Sequence, residues 1–256
     1  MAEAELVYSV EENGRLIKVW QQAELRWLEF GDELIQTEID LARPDFLPES
    51  FSRAMLSGAL FNSKVPEKVL LAGTGGGSTA RYFANRFPEV IGDGVDLSPV
   101  VLDIAQRFFD CPNKGNWQLI EADIRDYVQH CQVRYDLIVM DIAIGNTSPD
   151  WMIAPAFLKG CRQSLSSTGH IAINLIVENE LGFMTQLAAI REAFDRQTVC
   201  VSLPEHRNVI VLAFNQANSV APNPQTLEKL EAQWQVEFGT FYQQMLKDNP
   251  KGSGVI

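Results

Sequence analysis

Several function classes are excluded by what this chain has little of. Its four cysteines, Cys111, Cys131, Cys161 and Cys200, include no CxxC pair, and its three histidines, His130, His170 and His206, are equally scattered. Neither a zinc pattern nor a disulfide framework can be drawn from them, so buried structural thiols and no metal site are expected. No apolar stretch reaches the length of a membrane span. The start, MAEAELVYSVEENGR, has neither the basic nor the apolar block of a secretory signal. Basic charge is scarce: 21 Lys and Arg stand against 33 Asp and Glu, a net charge of −12. That balance argues against a nucleic-acid surface and against anionic membranes. The expectation is a soluble cytoplasmic protein that handles small molecules.

With 256 residues, 46% of them hydrophobic, the chain is long enough for one large α/β domain with appendages. The stretch Lys68 to Asp96 says most. The apolar run Val69-Leu70-Leu71-Ala72 enters a loop with Gly73, Gly75, Gly76 and Gly77; a helical segment follows from Ser78, and a second apolar run ends on Asp96. Strand, glycine turn, helix, strand and acid is the layout of a nucleotide-binding βαβ unit, in which the acid accepts hydrogen bonds from ribose hydroxyls.

Before this unit, Leu16–Trp20, Leu25–Phe30 and Leu34–Ile39 are short, rich in β-branched and aromatic residues, and separated by turn residues such as Gly31-Asp32. They predict a small antiparallel sheet within residues 1–45. Residues 49–61 have helical spacing. A core domain over 46–215 is expected to alternate strands and helices: strands at 69–72, 90–96, 117–121, 135–141 and 170–177, with Gly169 turning the chain into the last, and helices near 78–87, 99–109, 124–130, 154–166 and 180–194. Such alternation implies a parallel sheet with helices on both faces. Ser98 and Pro99 suit an N-cap and first turn. Residues 198–203 and 208–214, joined by Pro204-Glu205-His206-Arg207, read as a closing antiparallel hairpin. After a polar connector at 218–225, Leu227, Leu230, Trp234, Phe238, Phe241 and Met245 predict one amphipathic helix, its stripe core or dimer contact, and then a frayed tail.

Ligands of an open parallel sheet bind outside the carboxyl ends of its strands. Asp96, Asp123 and Asp141 all fall there, beside the glycine loop. Carboxylates are pure acceptors when ionised, which suits vicinal ribose hydroxyls and an adenine amine. The loop is not a P-loop, because the lysine followed by Ser or Thr is missing. Nor is Gly73-Thr74-Gly75-Gly76-Gly77-Ser78 a clean GxGxxG, which moves NAD behind a sulfonium nucleoside of the S-adenosylmethionine type.

The order GTGGGS, VDLSPVVLDIAQRFF, EADIRDY, YDLIVMD resembles the spermidine synthase-like group, polyamine aminopropyltransferases built on the class I methyltransferase fold. The segment RWLEFGDELIQTEIDLARPDFLPESFSRAML resembles that family's β-rich entry domain. The resemblance implies a Rossmann-like fold with a mostly parallel seven-stranded sheet, an N-terminal antiparallel β segment and a homodimer. Carried over by position, Asp96 would hold the ribose and Asp123 the adenine amine, with Leu97 and Ile124 beside them. The glycine loop would run along the sulfonium, Gln36 would stand near the nucleoside, and Asp141 would be the base. Phe51, Ile144 and Trp151 would face the acceptor. The co-substrate would be S-adenosylmethionine or its decarboxylated form, with no metal.

Three positions depart from the family pattern. Gly76 replaces an aspartate that pairs with the donor's amine, Ile144 replaces the second acid of the D-S-S/T-D-P motif, and Phe51 lacks a tyrosine's hydroxyl. A buried dication without acids costs several kcal/mol per unpaired charge, which argues against putrescine as acceptor. Three readings stay open: aminopropyl transfer to an altered amine, S-adenosylmethionine-dependent methyl transfer, and a non-catalytic nucleoside-binding or scaffold protein.

Overall fold

The computed structural model describes residues 3–31, 35–62, 64–217 and 222–256. The expected start at Leu34, the Asp32 turn residue and part of the 218–225 connector lie outside these residues.

The chain opens with a four-stranded meander in the order β1 (Glu5–Glu12), β2 (Arg15–Gln22), β3 (Leu25–Glu29) and β4 (Ile35–Asp40). All its pairs are antiparallel. Asn13-Gly14 closes the first hairpin, both at positive φ (53° and 76°), which is the two-residue turn that matches strand twist. Alternation puts Ile17, Val19, Leu28 and Ile39 on one face, where they form a core with Val101, Ile104 and Phe109. The sequence patterning gave three of these strands and did not single out β1.

The remaining strands are β5 (Lys68–Ala72), β6 (Ile91–Asp96), β7 (Trp117–Glu121), β8 (Tyr135–Met140), β9 (Leu165–Ile176), β10 (Thr198–Ser202) and β11 (Asn208–Phe214). They make a seven-stranded sheet in the order β10-β11-β9-β8-β5-β6-β7. The pairs β5–β8, β6–β7 and β8–β9 are parallel, while β11 is antiparallel to both β9 and β10. The apolar runs 69–72 and 137–140 are buried, as interior parallel strands require. From β5 the chain runs outward to β7, then returns to β8 on β5's other side. The helices are α1 (Ser50–Met55), α2 (Ser78–Arg86), α3 (Pro99–Phe108), α4 (Ile124–His130), α5 (Pro155–Gln163), α6 (Glu180–Ala193), α7 (Pro224–Trp234) and α8 (Phe238–Asp248). Among the described residues no helix is long and apolar enough to cross a membrane.

By compactness the chain divides into two units. The first comprises residues up to Pro48 with Gly73–Asp123, and the second Glu49–Ala72 with Ile124–Ile256. The first holds the meander, the glycine loop, β6 and β7; the second holds β5, β8 to β11 and the C-terminal helices.

Five local expectations are corrected. Residues 56–60 leave α1 as a 3-10 turn rather than continuing it. β9 begins at Leu165, so Gly169 lies inside it, at a register shift against β8. A Cβ at 169 would lie 2.6 Å from the Tyr135 carbonyl, which is why glycine is there. The C-terminal stripe belongs to two helices: Gln235 adopts φ 51° and ends α7, and the Gly239 N–H, near the start of α8, donates to Glu231 Oε1 at 2.7 Å. Leu230, Trp234, Phe238, Phe241 and Met245 are all buried within their own unit. The tail is docked, not frayed: Asn249 is buried and bonds both the N–H and the carbonyl of Cys200, and the Val255 N–H donates to the Thr198 carbonyl. Lastly, Cys111, Cys161 and Cys200 are buried, whereas Cys131 is only half-buried. Burial pushes the Cys111 thiol up to about 12 and Cys200 to about 11, so both are inert.

Candidate functional site

Asp96, expected to hold the ribose, is the last residue of β6, in the first unit. Its Oδ2 accepts the N–H groups of Thr74 (3.0 Å) and Gly75 (3.2 Å), and its Oδ1 accepts that of Ser98 (3.0 Å). A strand-end acid is thereby tied to the glycine loop and to the start of α3, with lone pairs to spare for hydroxyl donors. Burial pushes its carboxyl above the usual range, against three N–H groups that favour the charged form. Glu12 raises it further. This half-buried carboxylate, at the end of β1, accepts the Ser98 hydroxyl at 2.6 Å. Ser98 also caps α3, accepting the Val101 N–H at 3.0 Å with Pro99 in the first turn.

The loop earns its glycines unequally. Gly73, Gly75 and Gly77 sit at φ 81°, 52° and 78°, where side chains are strained. Gly77 also packs on Cys111, whose Sγ would be 2.2 Å from a Cβ there. Gly76 is held by Thr37, whose Oγ1 accepts its N–H at 3.0 Å. Gln36 stands next to Thr37 on β4, half-buried. Asp123 follows β7 and is half-buried. Leu97 is 72% exposed, whereas Ile124, in the second unit, is buried in α4. The backbone ties the strand ends together: the Ala122 N–H donates to the Asp96 carbonyl.

In the second unit Asp141 follows β8. Its N–H donates to the Ala72 carbonyl at 3.0 Å, and its Oδ1 accepts Asn174 Nδ2 at 2.9 Å. Asn208 Nδ2 in turn donates to Asn174 Oδ1, also at 2.9 Å. Two amides from β9 and β11 thus orient one carboxylate oxygen. Burial raises the Asp141 carboxyl, and the Asn174 donor opposes this. An acid poised upward in this way is better matched to taking a proton than a free aspartate. Ile144 is 63% exposed, in a turn closed by its N–H to the Thr147 carbonyl and by the Thr147 hydroxyl to its own carbonyl. Trp151 is half-buried, edge-on to Phe157, with the Arg125 guanidinium 5.4 Å above its ring. Phe51, on α1, meets His206 edge-on at 6.2 Å.

Thr37, Glu12, Asn174 and Asn208 were missed by reading the sequence. Only Asn174 carried a signal, being an amide within the apolar run Ile171–Val177.

The methyltransferase domain family matches residues 69–169. A polyamine aminopropyltransferase from Chromobacterium violaceum is 29% identical over 242 residues, 93% of this chain and 92% of its own. The chain is thus similar to a polyamine aminopropyltransferase along nearly its whole length. Among solved structures, a probable spermidine synthase from Corynebacterium glutamicum superposes with a TM-score of 0.77 at 18% identity, over 90% of this chain and 87% of that one. A spermidine synthase in complex with the transition state analogue AdoDATO gives 0.73 at 14% identity, over 94% and 85%. This likeness extends well beyond residues 69–169, since the aminopropyltransferase alignment covers 93% of the chain.

Proposed function

We propose that the protein is a transferase acting on a sulfonium nucleoside of the S-adenosylmethionine type, and that it moves an aminopropyl group to an amine. The observation that carries the reading is Asp96 bound by two N–H groups of the glycine loop. It supports a ribose held at a fixed distance from the loop, so that the sulfonium runs along bare backbone. Likeness over 93% of the chain to an aminopropyltransferase supports the aminopropyl group.

The chemistry is an in-line displacement. The amine nitrogen forms a bond to the carbon next to sulfur, the carbon–sulfur bond breaks, and its electron pair turns the sulfonium into a neutral thioether. The amine must be unprotonated to attack, and the proton it sheds afterwards goes to Asp141. Asn174 leaves the Oδ2 oxygen of Asp141 for this purpose. The leaving group is already good, so alignment supplies most of the acceleration.

Methyl transfer from S-adenosylmethionine is the second reading, favoured by the exposed Ile144 and the absent acid at 76. Incubation with decarboxylated S-adenosylmethionine and a panel of amines decides between them. Release of methylthioadenosine supports aminopropyl transfer, and no release with any amine refutes it. S-adenosylhomocysteine formed from S-adenosylmethionine supports methyl transfer.

A further inference from the structure

Position 76 is glycine for a reason that lies outside the loop. Unlike Gly73, Gly75 and Gly77, it does not have positive φ, so its backbone would accept a side chain. Thr37 forbids one. A Cβ at 76 would lie 2.4 Å from Thr37 Cγ2, 2.9 Å from its Cβ and 3.1 Å from its Oγ1. Thr37 is itself buried, at 7% exposure, and its neighbour Ile39 is locked into the meander's core, so β4 cannot easily give way.

The same residue completes the loop's hydrogen bonding. The Gly73 N–H donates to the Val95 carbonyl and that of Gly77 to the Thr74 carbonyl. Those of Thr74 and Gly75 go to Asp96, and that of Gly76 goes to the Thr37 hydroxyl. All the N–H groups from 73 to 77 are therefore spent inside the protein. A ligand tail lying along this stretch meets no spare backbone donor for an anion, and position 76 offers no carboxylate for a cation.

We propose that Thr37 is a specificity-determining residue that keeps this wall of the site neutral, so that sulfonium nucleosides with intact and with decarboxylated tails are taken alike. The proposal rests on the nucleoside reading above and goes beyond it by naming which tails the site admits and which residue decides.

The test measures binding of methylthioadenosine, S-adenosylmethionine and decarboxylated S-adenosylmethionine by calorimetry. It uses the wild type, Gly76→Asp, Thr37→Gly and the double variant. The wild type is expected to bind the two charged tails within about threefold of each other, and the double variant to favour the decarboxylated one by roughly tenfold. In thermal melts Gly76→Asp alone lowers the melting temperature, and the double variant recovers part of that loss, as coupled neighbours do. Should Thr37→Gly fail to fold, Thr37→Ala, which keeps the strand's Cβ, replaces it. A wild-type preference above about tenfold for either charged tail overturns the neutral wall. An unchanged melting temperature in Gly76→Asp overturns the steric claim. Failure of methylthioadenosine to bind the wild type refutes the nucleoside reading and the tail proposal with it, while the melting temperatures still decide whether Thr37 holds position 76 to glycine.

Discussion

Replacing His170 with leucine should make the protein more tolerant of mild acid. His170 stands on β9 at 5% exposure, its ring stacked on Phe214 with centroids 5.4 Å apart and planes at 25°. Gly58 presses on it so closely that a Cβ there would be 1.8 Å from Nε2. Among the described residues neither ring nitrogen has a hydrogen-bond partner. A charged imidazole in such a place loses its hydration and gains nothing, so burial pulls its pKa down from 6.5 to about 4, against a weaker opposing pull from Asp136. The unfolded chain takes up the proton below 6.5 and the folded chain does not. The stability His170 contributes is therefore complete above pH 6.5 and is lost as pH falls toward 4. Integrated between pH 7.5 and pH 5, that loss is roughly 2 kcal/mol.

The assay is urea unfolding of the wild type and His170→Leu at both pH values. Leucine cannot titrate, so the wild type should lose roughly 2 kcal/mol more than the variant over this interval. The comparison removes the carboxylates that work in the opposite direction. Asp96 and Asp141, raised by burial, cost stability when ionised and give some back as pH falls, but they do so equally in both proteins. Equal losses in wild type and variant would refute the reasoning, because they would mean that the buried ring finds a proton partner or water when the protein is acidified.

Three further predictions concern the site. Asp96→Ala should abolish stabilisation by methylthioadenosine, which at a hundred times its Kd raises the unfolding free energy of the wild type by about 2.7 kcal/mol; thermal shift checks this, and unchanged affinity would contradict the ribose role. Asp141→Asn should leave that stabilisation intact and remove turnover. Asn174→Leu should retain turnover but move the acidic limb of its pH profile upward, since a donor to the charged carboxylate is lost; an unmoved limb would mean that Asn174 only packs.

How far the sequence could be read depended on whether local pattern or a distant neighbour decides each position. Alternation, capping residues and apolar runs are local, which is why Ser98-Pro99 marked the start of α3 and the 117–121 and 208–214 strands were found at their observed limits. The break at Gln235 was not legible, because apolar residues continue at helical steps on both sides of it and only the short link 235–237, opened by a positive φ, separates the two helices. The 12-residue β9 was hidden for a similar reason: Ser166 to Gly169 look like a turn, yet the register shift against β8 carries them within the strand. At the site, Asp96 was legible through its place at the end of an apolar run. Thr37 and Glu12 were not, since each reaches its partner from a different strand of the meander, 39 residues from Gly76 and 86 from Ser98.

The two halves of the proposed chemistry differ in how firmly the fold prepares them. Around Asp96 the fold supplies two loop N–H groups, the Ser98 N–H, and Glu12 through the Ser98 hydroxyl. Asp141 is prepared comparably on one oxygen, by the chain of amides from Asn208 through Asn174. Beyond it the turn at 144–147 is closed by two hydrogen bonds between Ile144 and Thr147 and leaves an isoleucine exposed. An attacking nitrogen needs one acceptor, the role proposed for Asp141. A second cation on the same substrate would need another, and Ile144 cannot serve. On the proposed function, an acceptor with a single amine is therefore expected to turn over better than a diamine, whose second cation would find no carboxylate at position 144.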